Sequence, residues 1–111
     1  MVVETTFIIA GPSSHYFQTA IDAATIANTF KSGKNVVVRL PHSEDTAEYD
    51  IFSDMYFRMV GYSEPYSDPD NNTDTPAYFS FAGVGAFGAF SEFDISVLGN
   101  GKLAFAIPIY E

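Results

Sequence analysis

The chain has 111 residues and a formal net charge of −9, with fourteen acids against five bases and no cysteine. That length supports one domain with a single core, and the missing cysteines exclude disulfides and thiolate metal sites. The acidic balance argues against binding nucleic acid or an anionic membrane, both of which need clustered Lys and Arg.

Hydrophobic residues make up 47% of the chain, too many for a disordered protein. Met1–Thr6 has no basic stretch ahead of an apolar run, so no signal peptide is expected. No apolar run approaches the ~20 residues that span a bilayer. These features predict a soluble, cytoplasmic protein.

Taken in order, Val2–Ala10 is a β-branched run ended by Gly11-Pro12-Ser13-Ser14. Ser14 or Ser13 is suited to cap a helix over His15–Lys31. Along that helix Phe17, Ala20, Ile21, Ala23, Ala24, Ile26, Ala27 and Phe30 fill an apolar arc, with Gln18, Asp22, Thr25 and Thr29 opposite. Gly33 stands where a left-handed helix stop belongs. Asn35–Leu40 reads as a second strand burying Val36, Val38 and Leu40, parallel to the first through a β-α-β crossover.

Ser43 then suits a second cap, with Glu44 and Asp45 at the positive end of the helix dipole. Tyr49, Phe52, Met55, Tyr56 and Met59 recur at helical spacing, and the rival reading makes Met55–Tyr62 a strand. Ser63–Pro76 is a loop by composition, with three prolines, two asparagines and four acids. Tyr78–Ala82 reads as a strand, followed by a stretch in which Gly83, Gly85 and Gly88 separate phenylalanines. Phe93, Ile95 and Val97, the turn Leu98-Gly99-Asn100-Gly101-Lys102, and Leu103, Phe105, Ile107 and Ile109 predict an antiparallel hairpin. The predicted fold is a single α+β domain over residues 1–111. It has a mixed sheet of about four to five strands, a β-α-β start and a C-terminal antiparallel hairpin, packed against one long and one shorter helix.

Three constellations are candidates for chemistry or binding. Parallel first and second strands would gather Ser13, Ser14, His15, His42, Ser43, Glu44 and Asp45 at one sheet edge, where ligands favour the strand C-termini. No nucleophile elbow or metal-ligand spacing accompanies them, and such residues beside helix starts serve more often as caps. Asp68-Pro69-Asp70-Asn71-Asn72-Thr73-Asp74 resembles the opening of an EF-hand calcium loop. However, Thr73 replaces the required glycine, Phe79 the bidentate glutamate, and Pro76 opposes the following helix. Asn71-Asn72-Thr73 is a glycosylation sequon, of little meaning without a secretory signal. Gly83–Phe90 is either core strand with bends or a loop that shows Phe87 and Phe90 to a partner or to a second copy. No catalytic residue, cofactor or metal is expected.

Charge distribution is the remaining signal. Nine of the fourteen acids lie between Glu44 and Asp74, where Arg58 is the one base, so that window carries −8 and the rest of the chain −1. A cationic protein surface is the partner this suits, although acids also serve to keep a small aromatic protein soluble. The expected function is a non-enzymatic protein-binding module. By analogy with small acidic viral proteins, it would be an inhibitor whose DNA-mimic surface engages a basic, nucleic-acid-handling partner such as a bacterial defence nuclease. The expected partner-binding residues are Glu44, Asp45, Glu48, Asp50, Asp54, Asp68, Asp70, Asp74, Phe87 and Phe90. The alternatives are a self-assembling structural or virion subunit, and a small enzyme or ligand-binding domain using His15 and His42.

Overall fold

The computed structural model describes residues 1–10, 14–40, 55–85, 88–90 and 94–108. Along the chain these form β1 (Val2–Ala10), β2 (Ser14–Asp22), α1 (Ala23–Lys31), β3 (Val37–Leu40) and β4 (Met55–Ser63). There follow β5 (Tyr66–Asp68), β6 (Thr73–Thr75), β7 (Tyr78–Gly85), β8 (Gly88–Phe90), β9 (Asp94–Val97) and β10 (Lys102–Pro108). Eight strands make one mixed sheet in the order β8-β7-β4-β3-β1-β2-β10-β9, while β5 and β6 pair apart as a hairpin. Within the sheet β1 and β3 are parallel, with Val3 opposite Val38, and the other neighbours are antiparallel.

The α+β expectation is therefore corrected: the chain is mostly β, with one nine-residue helix among the described residues. The first half of the predicted helix is strand β2. His15, Phe17 and Thr19 are buried in alternation with the more exposed Tyr16, Gln18 and Ala20, a period of two that suits a pleated strand. Counting alanines as core made the same residues look helical, yet Ala20 and Ala24 are exposed. Flanking strands on both sides, β1 and β10, settle the choice in favour of strand. Ser14 opens β2 rather than capping a helix, and the N-cap residue is Asp22, whose side chain makes no capping bond.

The helix ends as expected. Gly33 takes φ 85°, its N–H donates to the Phe30 carbonyl at 3.0 Å and that of Lys34 to Thr29 at 3.4 Å, the paired bonds of a Schellman stop. Ile26 is fully buried and Ala23 and Ala27 nearly so. The Ala23 N–H donates to the Gly101 carbonyl at 2.7 Å, and Lys31 pairs with Glu64 beyond β4 at 2.7 Å. These contacts lay α1 across the end of the sheet where β2, β4 and β9 finish.

The second predicted helix is also corrected over its described part. Met55–Ser63 is strand, with Phe57 and Met59 buried and Tyr56, Arg58 and Val60 exposed. A register shift between Met59 and Gly61 then turns Tyr62 toward Phe79, whose ring it meets edge-on at 5.0 Å. The rest of that helix, from Ser43 to Asp54, lies outside the described residues. The C-terminal hairpin forms as expected, with Leu103 opposite Val97 and Phe105 opposite Ile95. Its turn closes through Gly101 N–H to Leu98 at 2.9 Å, with Gly101 at φ 84°.

Buried side chains line one face: Val3, Phe17, Val36, Val38, Leu40, Phe57, Met59, Phe79, Phe81, Leu103 and Phe105. The sheet curls around them until it is nearly closed, and Phe81 of β7 packs edge-on against Phe105 of β10 at 5.2 Å. Two buried threonines bridge where ladders are interrupted. Thr19, 1% exposed, accepts from the Leu103 N–H at 3.0 Å and donates to the Ile21 carbonyl at 2.9 Å, at the register break between Lys102 and Ala104. Thr5 donates to the Arg39 carbonyl at 2.6 Å, just past the last paired residues of β1 and β3. Each bond keeps a polar backbone group satisfied inside the sheet.

Candidate functional site

The two ends of the curled sheet do not zip together along their whole length. β8 pairs with β7 only at Gly83–Gly85. A few residues on, the chain has changed partners and β9 pairs with β10. The second edge of β7 from Tyr78 to Ala82 thus has no strand neighbour among the described residues, and neither does the outer edge of β9. Between them lies a seam of ≈ 480 Å³, lined by Pro76, Ala77, Tyr78, Phe79, Ile95, Ser96, Val97 and Leu103. Phe79 and Leu103 form its buried floor, at 7% and 0% exposure, while Tyr78 and Val97 stand at its mouth, at 65% and 50%.

Directly before Pro76 comes the β5–β6 hairpin, so the stretch expected to be a loop is instead a short, exposed β-ribbon. Its turn is built on side chains. Asp68 accepts from the Asp70 N–H at 3.0 Å and from the Asn71 side-chain amide at 2.9 Å, an Asx turn. Asn72 takes the left-handed φ of 52°, a conformation asparagine tolerates. Ser67 donates to Asp74 at 2.7 Å across the ribbon. The Asn71 side chain, then the Asp70 N–H, hold the Asp68 carboxyl below its usual range. This carboxylate is engaged by its own turn, and among the described residues no acid and histidine cluster could hold a metal ion.

Elsewhere three of the five bases pair with acids. Lys31 pairs with Glu64, Arg39 with Glu4 at 3.0 Å, and Lys102 with Asp22 at 3.4 Å. Glu64 also accepts from the Tyr62 hydroxyl at 3.2 Å. The Lys31 hydrogen bond holds its carboxyl below the ordinary value, and the same bond raises the Lys31 ammonium. Arg58 donates to the Asn35 side chain at 3.2 Å. Among the described residues no base pairs with Asp68, Asp70 or Asp74.

The expected site residues divide accordingly. Asp68, Asp70 and Asp74 come together on the hairpin. Glu44, Asp45, Glu48, Asp50, Asp54 and Phe87 lie outside the described residues, and Phe90 closes β8 opposite Gly83. Of the strand-edge cluster, Ser13, His42, Ser43, Glu44 and Asp45 are likewise outside, whereas His15 is described. It points inward, 4% exposed, edge-on to Phe7 at 5.7 Å, and burial lowers its imidazole below the ordinary value of 6.5. Sequence reading missed the seam altogether. The one hint was the glycine-rich break after Ala82, where Gly83 lets the Phe57 ring lie directly on the β7 backbone.

No family model, curated protein or solved structure matches the chain. Among the described residues no helix is long and apolar enough to cross a membrane.

Proposed function

We propose that the protein is a non-enzymatic binding module that docks an acidic surface on a basic protein. The finer reading is an inhibitor that presents carboxylates to a nucleic-acid-handling partner, much as a phosphate backbone would. The supporting observation is the contrast in pairing: Lys31, Arg39 and Lys102 are matched to acids, whereas Asp68, Asp70 and Asp74 project on an exposed hairpin and pair with no base among the described residues. Unpaired surface charge of one sign steers and selects an oppositely charged partner.

The test is affinity capture from lysate at low and high salt, with the bound proteins identified. The expected result is a basic, nucleic-acid-handling partner that is released by salt. It should also be lost when Glu44, Asp45, Glu48, Asp50 and Asp54 are neutralised together with the hairpin aspartates. A partner retained by the neutralised protein would refute the proposal.

A further inference from the structure

We infer that the seam between β7 and β9 is a docking slot for an extended, basic peptide strand of the partner; this rests on the basic-partner reading above. An exposed strand edge presents a row of N–H and C=O groups ready to pair with another strand, and addition to such an edge is a recurring mode of peptide recognition. Here two edges that have no strand neighbour among the described residues line one seam. β7 runs antiparallel to β4, β4 to β3, and β3 parallel to β1. β1 runs antiparallel to β2, β2 to β10, and β10 to β9. Following these steps round the sheet makes β7 and β9 antiparallel across the seam. One inserted strand would lie antiparallel to one wall and parallel to the other, in a sheet that already holds a parallel pair.

The lining fixes the chemistry of the occupant. Side chains on its inner face would meet Phe79, Ile95 and Leu103, so they should be apolar. Pro76 and Ala77 carry the chain from the acidic hairpin into the seam wall, with Asp74 two residues before Pro76, so residues flanking the inserted strand on that side should be Lys or Arg. A second copy of this chain suits the slot poorly, because each copy carries a net charge of −9 and the two would repel.

The probe is a set of short synthetic peptides with one alternating valine–threonine core. One version is flanked by lysines, one by glutamates, and one is lysine-flanked with a central proline that cannot pair. Binding is followed by titration and by amide chemical shifts of the whole protein. The lysine-flanked peptide should shift Tyr78–Phe81 and Ile95–Val97, and the proline version should bind roughly tenfold more weakly or worse. Val97→Lys, a change at a half-exposed side chain, should weaken the lysine-flanked peptide similarly while the melting temperature holds. Equal binding of the proline version, with shifts outside the seam, overturns strand docking yet leaves the basic-partner reading standing. Equal binding of lysine- and glutamate-flanked peptides in the seam overturns the basic occupant. Seam shifts that grow with protein concentration alone would assign the slot to a second copy and overturn the proposal.

Discussion

The curled sheet and the β5–β6 hairpin solve the same problem, satisfying backbone polar groups, in opposite ways. In the sheet, ladder bonds are backed by buried side chains: Phe57, Phe105 and Leu103 are fully enclosed, and Thr19 repairs a broken ladder from within. In the hairpin, three-residue strands are held by the exposed side chains of Ser67, Asp68 and Asn71, with none of its residues buried. A short two-stranded ribbon without a covered face has little stability of its own. Stability thus resides in the sheet, while the hairpin carries acids that pair with no base among the described residues.

This contrast breaks most visibly in the core. Phe57→Ala removes a fully buried ring and should cost ~3–5 kcal/mol, read by denaturant unfolding. A cost below about 1 kcal/mol would mean that the curled sheet is not the stabilising unit. Gly83→Ala comes next. A methyl group there would strike the Phe57 ring and approach the Tyr56 carbonyl oxygen to 2.6 Å, for an expected loss of ~1–3 kcal/mol. Thr19→Val keeps the volume but strands the Leu103 N–H, and ~1–3 kcal/mol is expected, with faster amide exchange at Leu103.

Acidification sharpens the comparison more gently. Burial lowers the His15 imidazole, so below its unfolded value of ~6.5 the folded protein binds fewer protons than the unfolded chain. The stability linked to His15 is present in full above that value and is lost as pH falls through it. The melting temperature should therefore decline as pH falls below neutral, and His15→Leu should flatten that profile. An unchanged profile in the variant would show that the decline arises elsewhere.

The sequence made several of these elements legible. Val2–Ala10, most of the strand expected over Asn35–Leu40, the Gly33 stop and the C-terminal hairpin follow from local pattern and turn chemistry; β1 and β3 are parallel as expected, but the β-α-β start is corrected, since β2 intervenes before the helix. β2 did not, because Ala20 and Ala24 complete a helical arc as readily as Phe17, Thr19 and Ile21 complete a strand. What decides it is pairing to β1 and β10, the latter eighty residues or more away in contacts such as Lys102 to Asp22. The hairpin at Tyr66–Thr75 hid in a composition rich in proline and acid, since its turn rests on the side-chain bonds of Asp68 rather than on apolar alternation. The seam was illegible for a different reason. It arises where the chain leaves β7 for β10, a change of partner that no local pattern records. The acidic excess, by contrast, was plain from composition, and the described structure adds which acids are matched and which are not.

The division between sheet and hairpin is tested most directly by residue-resolved native-state hydrogen exchange of the unmodified protein. The account predicts that the amides of Phe17, Phe57 and Phe105 exchange only through global unfolding, while those of Ser67–Thr73 exchange through local opening orders of magnitude faster. Hairpin amides as strongly protected as those of the sheet would contradict it.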